Sequence, residues 1–185
     1  MKKLQFLLLD AGPIIKLFEL GIWKTFIEQY EVTITRTVVE QCIYTRQSEG
    51  LEYIDFPFEQ AAEKELIKIV DVPPSEVKSF DDKFKITPKY LLHPGEDETL
   101  AYLLKATDDY AVCAADKAVF IVLGLLGKGE QGISLEEALK QIGLQPGICW
   151  DKITPRDEDW KYTKKFREQW TRKGQTEFVQ GQGLV

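Results

Sequence analysis

Apolar residues in this chain form short continuous runs that alternate with stretches of helical spacing. Such runs, bounded by turn residues, predict strands that are buried on both faces. The predicted strands cover residues 6–9, 32–34 and 110–115. The predicted helices cover residues 14–20, 22–30, about 36–43, 96–107 and 117–126. Strands that alternate with helices form parallel βαβ units, so we expect an α/β domain with three layers, α/β/α, around a mainly parallel sheet.

Weaker signals occur between these elements. Residues 51–58 alternate and are aromatic, which predicts a short strand, and residues 61–70 predict an amphipathic helix. The prolines and charges of residues 72–92 predict a loop excursion outside the core. Glycines at 127–132 predict a linker, and a Ser-x-x-Glu capping box predicts a helix over residues 134–142.

The end of the chain differs in composition, so we divide it into a main domain at 1–145 and a basic-aromatic extension at 146–185. From Trp150 onward, eight Lys or Arg residues stand against six acids, a balance of +2 that leaves −8 for the rest. Three aromatic residues fall on one face of a predicted helix: Tyr162, Phe166 and Trp170. We favour a terminal helix that docks these rings on the domain. The alternative is an arm that binds RNA or a partner protein.

Composition and charge argue against several classes of function. The 185 residues carry a net charge of −6, which argues against a general nucleic-acid coat. The longest later apolar run, residues 118–127, is too short to span a bilayer, so we expect no membrane association. Three widely spaced cysteines indicate a reduced, cytoplasmic protein. The single histidine, His93, argues against a His-rich metal site and a histidine-based triad.

Acidic residues follow the predicted strands or lie in the helices after them. Asp10 and Asp116 each end a strand, Glu40 lies on the helix after the second strand, and residues 96–98 are three consecutive acids at a helix start. Ligands bind at the carboxyl ends of strands in open α/β sheets. Clustered carboxylates need a proton or a cation, and oxygen ligands favour Mg²⁺ or Mn²⁺. The alternative for each acid is a role in helix capping or in the first turn of a helix.

Helical geometry separates the two glutamates of the acidic cluster. Glu96 shares a face with Leu100 and Leu103, whereas Glu98 lies about 160° around the helix. We expect one of them to be a ligand and the other to support it, and the sequence leaves open which is which. Asp97 fits an acid of the first helical turn.

These segments, in this order, resemble the PIN-domain nucleases. The resemblance is closest to the branch with an Asp-x-Gly-Pro opening and a Gly-Glu-x-Glu helix start, and it covers about residues 4 to 145. The matching segments are residues 9–15, 38–40, 95–98 and 115–116. The resemblance implies a parallel-sheet α/β/α domain whose acids bind Mg²⁺ or Mn²⁺ and cleave single-stranded RNA.

The resemblance also implies which residues act and with what partners. Carried over, the catalytic and metal-binding acids are Asp10, Glu40, Glu96, Glu98 and Asp116. Many such relatives are toxins of bacterial or archaeal toxin–antitoxin pairs and are often dimers. We therefore expect an RNA substrate, a possible antitoxin partner and a homodimer.

Two other functions are alternatives to a nuclease. Ala115 stands where relatives often have a small hydroxyl residue, and the 72–92 excursion is long; both favour a catalytically inactive PIN-like module that binds RNA or protein. A phospho-receiver-like regulator is the last candidate, because Asp10, Asp55 and Lys105 loosely resemble the acid, acceptor and lysine of such domains.

Overall fold

The computed structural model of the protein has five parallel strands at its centre. It describes residues 6–48, 56–84 and 92–179, with only the backbone at 45–48 and 178–179. The strands are β1 (Phe6–Leu9), β2 (Glu31–Thr35), β3 (Ile67–Val70), β4 (Tyr110–Cys113) and β5 (Gly132–Ile133). Their order in the sheet is β3-β2-β1-β4-β5, and every neighbouring pair is parallel. The predicted α/β class with a parallel sheet is therefore confirmed.

Helices cover both faces of this sheet. They are α1 (Ala11–Glu19), α2 (Trp23–Gln29), α3 (Arg36–Ser48), α4 (Phe58–Glu63), α5 (Pro74–Asp81), α6 (Pro94–Lys105), α7 (Lys117–Leu125), α8 (Leu135–Gln141) and α9 (Lys164–Val179). Successive side chains of a strand point to opposite faces. Leu7 and Leu9 accordingly pack with α1 to α4 and α8, whereas Leu8 packs with α5, α6, α7 and α9. This arrangement confirms the predicted three layers.

Local capping signals in the sequence fix two helix starts. The hydroxyl of Thr35 accepts a hydrogen bond from the Val38 N–H (3.4 Å) at the start of α3. The hydroxyl of Ser134 accepts one from the Glu137 N–H (3.2 Å) and the Glu137 carboxylate accepts one from the Ser134 N–H (3.0 Å), a reciprocal capping box at α8.

The predicted helix over residues 61–70 is wrong. Helix α4 ends at Glu63, Glu65 adopts a positive φ of 55°, and the chain continues as the edge strand β3. Ile67 and Ile69 pair with Val32 and Ile34 of β2. The apolar spacing of this segment fits a helix, but its β-branched residues are stabilised by pairing with β2.

Two further expectations need correction. Within the predicted excursion at 72–92, residues 74–81 form α5, and Phe80 and Phe84 are buried in the core, whereas residues 85–91 lie outside the described residues. In the linker predicted at 127–132, Gly129–Gln131 form a 3-10 helix, and Gly132 is the first residue of β5. Most of the strand predicted at 51–58 lies outside the described residues, and Phe58 begins a helix.

The terminal segment docks on the domain, as we favoured. Phe166 is buried, and its ring lies 6.2 Å from that of Phe120 on α7. Gly124 and Gly174 let α7 and α9 approach closely, because a side chain at either position would meet the backbone of the other helix. Tyr162 is not on the same helix as Phe166, since it ends a 3-10 helix, Glu158–Tyr162, before α9. In the part of the chain described, no helix has both the length and the apolarity needed to cross a membrane.

Candidate metal centre

The first and fourth strands bring two distant aspartates to the same edge of the sheet. Asp10 follows β1 and Asp116 follows β4, and these strands pair in register from Phe6 with Tyr110 to Leu9 with Cys113. The Asp10 N–H extends this ladder by donating to the Cys113 carbonyl oxygen (3.1 Å). The two carboxylates therefore leave neighbouring strands at their carboxyl ends, although 105 residues separate them along the chain.

Asp116 has a fixed orientation. It is the residue before α7, and its Oδ1 accepts a hydrogen bond from the Ala118 N–H (2.7 Å). This contact satisfies one of the free N–H groups of the helix start and leaves Oδ2 available to a ligand.

Glu96 reaches the same place from the start of α6. It is 4% exposed, and its Oε2 accepts a hydrogen bond from the backbone N–H of His93 (2.8 Å). The imidazole Nδ1 of His93 lies 3.6 Å from that oxygen. One ligand atom from each of His93, Glu96 and Asp116 lies within 4.8 Å of the other two, a separation that one ion can bridge.

Gly95 sets the position of α6 against α3. A Cβ at Gly95 would collide with the Gln41 side-chain oxygen and would lie 2.9 Å from Val38 Cγ2. Glycine thus allows α6 to begin close to α3, which carries the exposed Glu40.

These acids line one cavity of about 530 Å³. Four of the five candidate acids contribute to it: Asp10, Glu40, Glu96 and Asp116. Its other described lining residues are Ala11, Gly12, Thr37, Gln41, Tyr44, His93, Pro94, Ala115 and Lys161. Carboxylates dominate its charged surface.

Glu98 lies elsewhere. It lines a separate cavity with residues of α5, among them Val77 and Asp81, and not the cavity of Asp10. The structure therefore brings Glu96, and not Glu98, to the other acids. Asp97 does not line the cavity of Asp10 either.

Burial makes the charged form of this cluster costly. Asp10 is 7% exposed, and burial, together with the charge of Asp116, raises its pKa from 3.8 to about 6. Burial and the charge of Asp10 raise the pKa of Glu96 from 4.5 to about 8. Carboxylates in this state bind either protons or a cation.

Sequence reasoning missed His93, whose ring nitrogen belongs to the candidate ligand group, and two further residues of the cavity. Lys161 comes from the terminal segment and Tyr44 from α3, and both line the cavity of the acids. The basic-aromatic composition near Lys161 was the available signal, but no spacing rule connects residue 161 to residue 10. The lysine of the phospho-receiver hypothesis, Lys105, is paired with Glu76 (3.0 Å) outside this cavity, and Asp55 lies outside the described residues.

Comparison with known proteins adds no family to these observations. No protein-family model matches the chain, and a search of curated proteins gives no match.

Proposed function

We propose that this protein is a Mg²⁺- or Mn²⁺-dependent endoribonuclease of the PIN type, which cleaves phosphodiester bonds of single-stranded RNA. The observation that carries the proposal is the convergence of Asp10, Glu96 and Asp116, from three separate elements, in one open cavity. The resemblance of residues 4 to 145 to PIN-domain nucleases supplies the substrate class.

The donor set fits a hard divalent cation. Two buried acids with raised pKa values and a third oriented carboxylate supply oxygen ligands, which Mg²⁺ and Mn²⁺ prefer. Glu96 and Asp116, each with a ligand atom within 4.8 Å of the other and of a His93 ring nitrogen, would hold the ion, with Asp10 as a further carboxylate of the cavity and Glu40 at its exposed side. A bound ion of this kind lowers the pKa of water and neutralises charge on the phosphate that is attacked.

The protein's own residues preorganise this site. The His93 N–H holds Glu96 and the Ala118 N–H holds Asp116, so neither carboxylate must be ordered when a ligand arrives. The buried position of Asp10 keeps its carboxylate away from bulk water, which strengthens its attraction to a cation. The exposed Glu40 is free to adjust to the ligand.

A catalytically inactive binding module is the second candidate, and one observation favours it. A Glu96 pKa of about 8 means that this acid is protonated at neutral pH in the absence of a cation. Protonation of Glu96 would reduce the repulsion between the buried acids without a metal. The cavity would then bind RNA or a protein and cleave nothing.

An assay of RNA cleavage separates these two functions. A labelled single-stranded RNA is incubated with the protein in Mg²⁺, in Mn²⁺ and in EDTA. We expect cleavage only with a divalent ion, and its loss in Asp10→Asn with an unchanged circular dichroism spectrum. The matched control Asp109→Asn, an exposed aspartate away from the cavity, should cleave like the wild type. Full activity of a folded Asp10→Asn protein would remove the nuclease assignment.

The remaining implications of the resemblance are proposals of the same kind. A toxin role with an antitoxin partner and a homodimer depend on it, whereas a cytoplasmic location is proposed from the three widely spaced cysteines. Size-exclusion chromatography with light scattering tests the dimer, and growth arrest on expression, relieved by Asp10→Asn, tests the toxin role.

A further inference from the structure

Lys161 places a positive charge in a cavity of carboxylates. It is the only lysine or arginine among the described residues that line the cavity. Its side chain is exposed, and no ion pair within the described ranges includes it. Its ammonium lies 5.3 Å from the ring centre of Tyr162, a contact that leaves the charge accessible.

The position of Lys161 is fixed by its neighbours. Tyr162 is buried, and its hydroxyl donates a hydrogen bond to the Gly12 carbonyl oxygen (3.3 Å) in the first turn of α1. Asp159, in the same 3-10 helix, pairs with Lys16 of α1 (2.7 Å). These two contacts hold the 3-10 helix against α1. Lys161 is therefore held at the cavity that Asp10 lines.

Tyr44 gives the same cavity an exposed aromatic ring. Its side chain is 70% exposed. Among the described residues, Ile43 is the one other large apolar side chain that is exposed, at 37%. It lies one turn after Glu40 on α3, on the same face of the helix, and packs against no other ring in the described part of the chain. An exposed aromatic ring at the edge of a cavity offers an accessible face on which a base can stack.

We infer that Lys161 binds a backbone phosphate and Tyr44 stacks on a base of a single-stranded RNA that crosses the cavity. This inference rests on the proposed function and assigns its substrate contacts. The acids of the cavity repel phosphates, and Lys161 offsets that repulsion at the rim. Stacking needs a base with a free face, which a single strand offers and a duplex does not.

Binding is measured on the full chain in the absence of cleavage. Fluorescence anisotropy follows a short labelled single-stranded RNA in the Asp10→Asn background, which separates binding from cleavage. Lys161→Ala should weaken binding on the order of three- to tenfold and reduce the slope of log affinity against log salt by about 0.7. Tyr44→Ala should weaken it about five- to a hundredfold, whereas Tyr44→Phe should bind like the parent because its ring is kept.

The controls distinguish the inference from a general charge effect. Lys165→Ala removes an exposed lysine of α9 outside the cavity and should leave the affinity unchanged. A duplex of the same sequence should bind more weakly than the single strand. Affinities of Lys161→Ala and Tyr44→Ala within twofold of the parent would overturn the inference while leaving the nuclease intact. Absence of RNA binding and cleavage by the wild type would overturn both.

Discussion

Glu96 and Glu98 are two residues apart on α6, yet they line different cavities. Glu96 is buried beside Asp10 and Asp116, and its carboxylate accepts the His93 N–H. Glu98 faces α5 and lines the cavity that contains Asp81. Side chains two positions apart on a helix lie about 160° apart around its axis, so one glutamate faces the sheet edge and the other faces the neighbouring helix.

This relationship gives a matched pair of variants. Glu96→Gln should reduce metal-dependent RNA cleavage by about a hundredfold or more, because it removes a charged ligand at the site. Glu98→Gln makes the same chemical change two residues away and should retain activity within about threefold of the wild type. Initial rates at saturating Mn²⁺ provide the comparison. Equal losses in both variants would contradict the assignment of Glu96 alone to the site.

The raised pKa values predict how the stability of the cation-free protein depends on pH. The pKa of Glu96 rises from 4.5 to about 8 on folding, so the folded state holds the proton more tightly than the unfolded state. Its contribution to the free energy of unfolding is fully present below about pH 4.5 and is lost as the pH rises through about 8. In EDTA, Glu96→Gln should therefore melt a few degrees above the wild type near pH 8.5. Near pH 5 the two proteins should melt alike, and a constant difference across this range would contradict the shift.

Divalent ions should stabilise the protein in a pH-dependent way. A saturating ion at about a hundred times its Kd adds about 2.7 kcal/mol to the free energy of unfolding. Because binding displaces protons from Asp10 and Glu96, the Mn²⁺ concentration at half effect should rise as the pH falls from about 8 to about 6. Thermal denaturation against Mn²⁺ concentration measures this midpoint. Asp10→Asn should lose most of the effect, and an undiminished shift in that variant would place the ion elsewhere.

The contact between α7 and α9 predicts a stability effect far from the cavity. A Cβ at Gly174 would collide with the carbonyl oxygen of Ile121 and lie 3.0 Å from the amide nitrogen of Leu125, and backbone atoms of a packed helix cannot yield as a flexible side chain does. Gly174→Ala should therefore lower the free energy of unfolding by about 1–3 kcal/mol despite the higher helix propensity of alanine. Urea denaturation tests it, with Lys165→Ala as a surface control. A more stable Gly174→Ala protein would show that the two helices separate easily.

The two aspartates show how far sequence reasoning can predict the candidate site. Asp10 and Asp116 each follow a continuous apolar run, and parallel strands in register bring such positions to one edge. The sequence could not choose between Glu96 and Glu98, because the choice depends on which face of α6 meets the sheet. It also could not predict Lys161, which reaches the cavity through the Tyr162 contact with Gly12.

The sequence by itself determined the elements whose signals are local. These are the buried strands β1, β2 and β4, the capping box of α8, and the helices α1, α2, α3, α6, α7 and α8, because apolar periodicity and side-chain caps act within a few residues. The tertiary structure decided the elements that depend on a partner. Edge strand β3 forms against β2 although its spacing also suits a helix, and β5 is too short to be recognised without β4. The acidic cavity belongs to the second kind, since its residues meet only when the sheet and the helices around it are assembled.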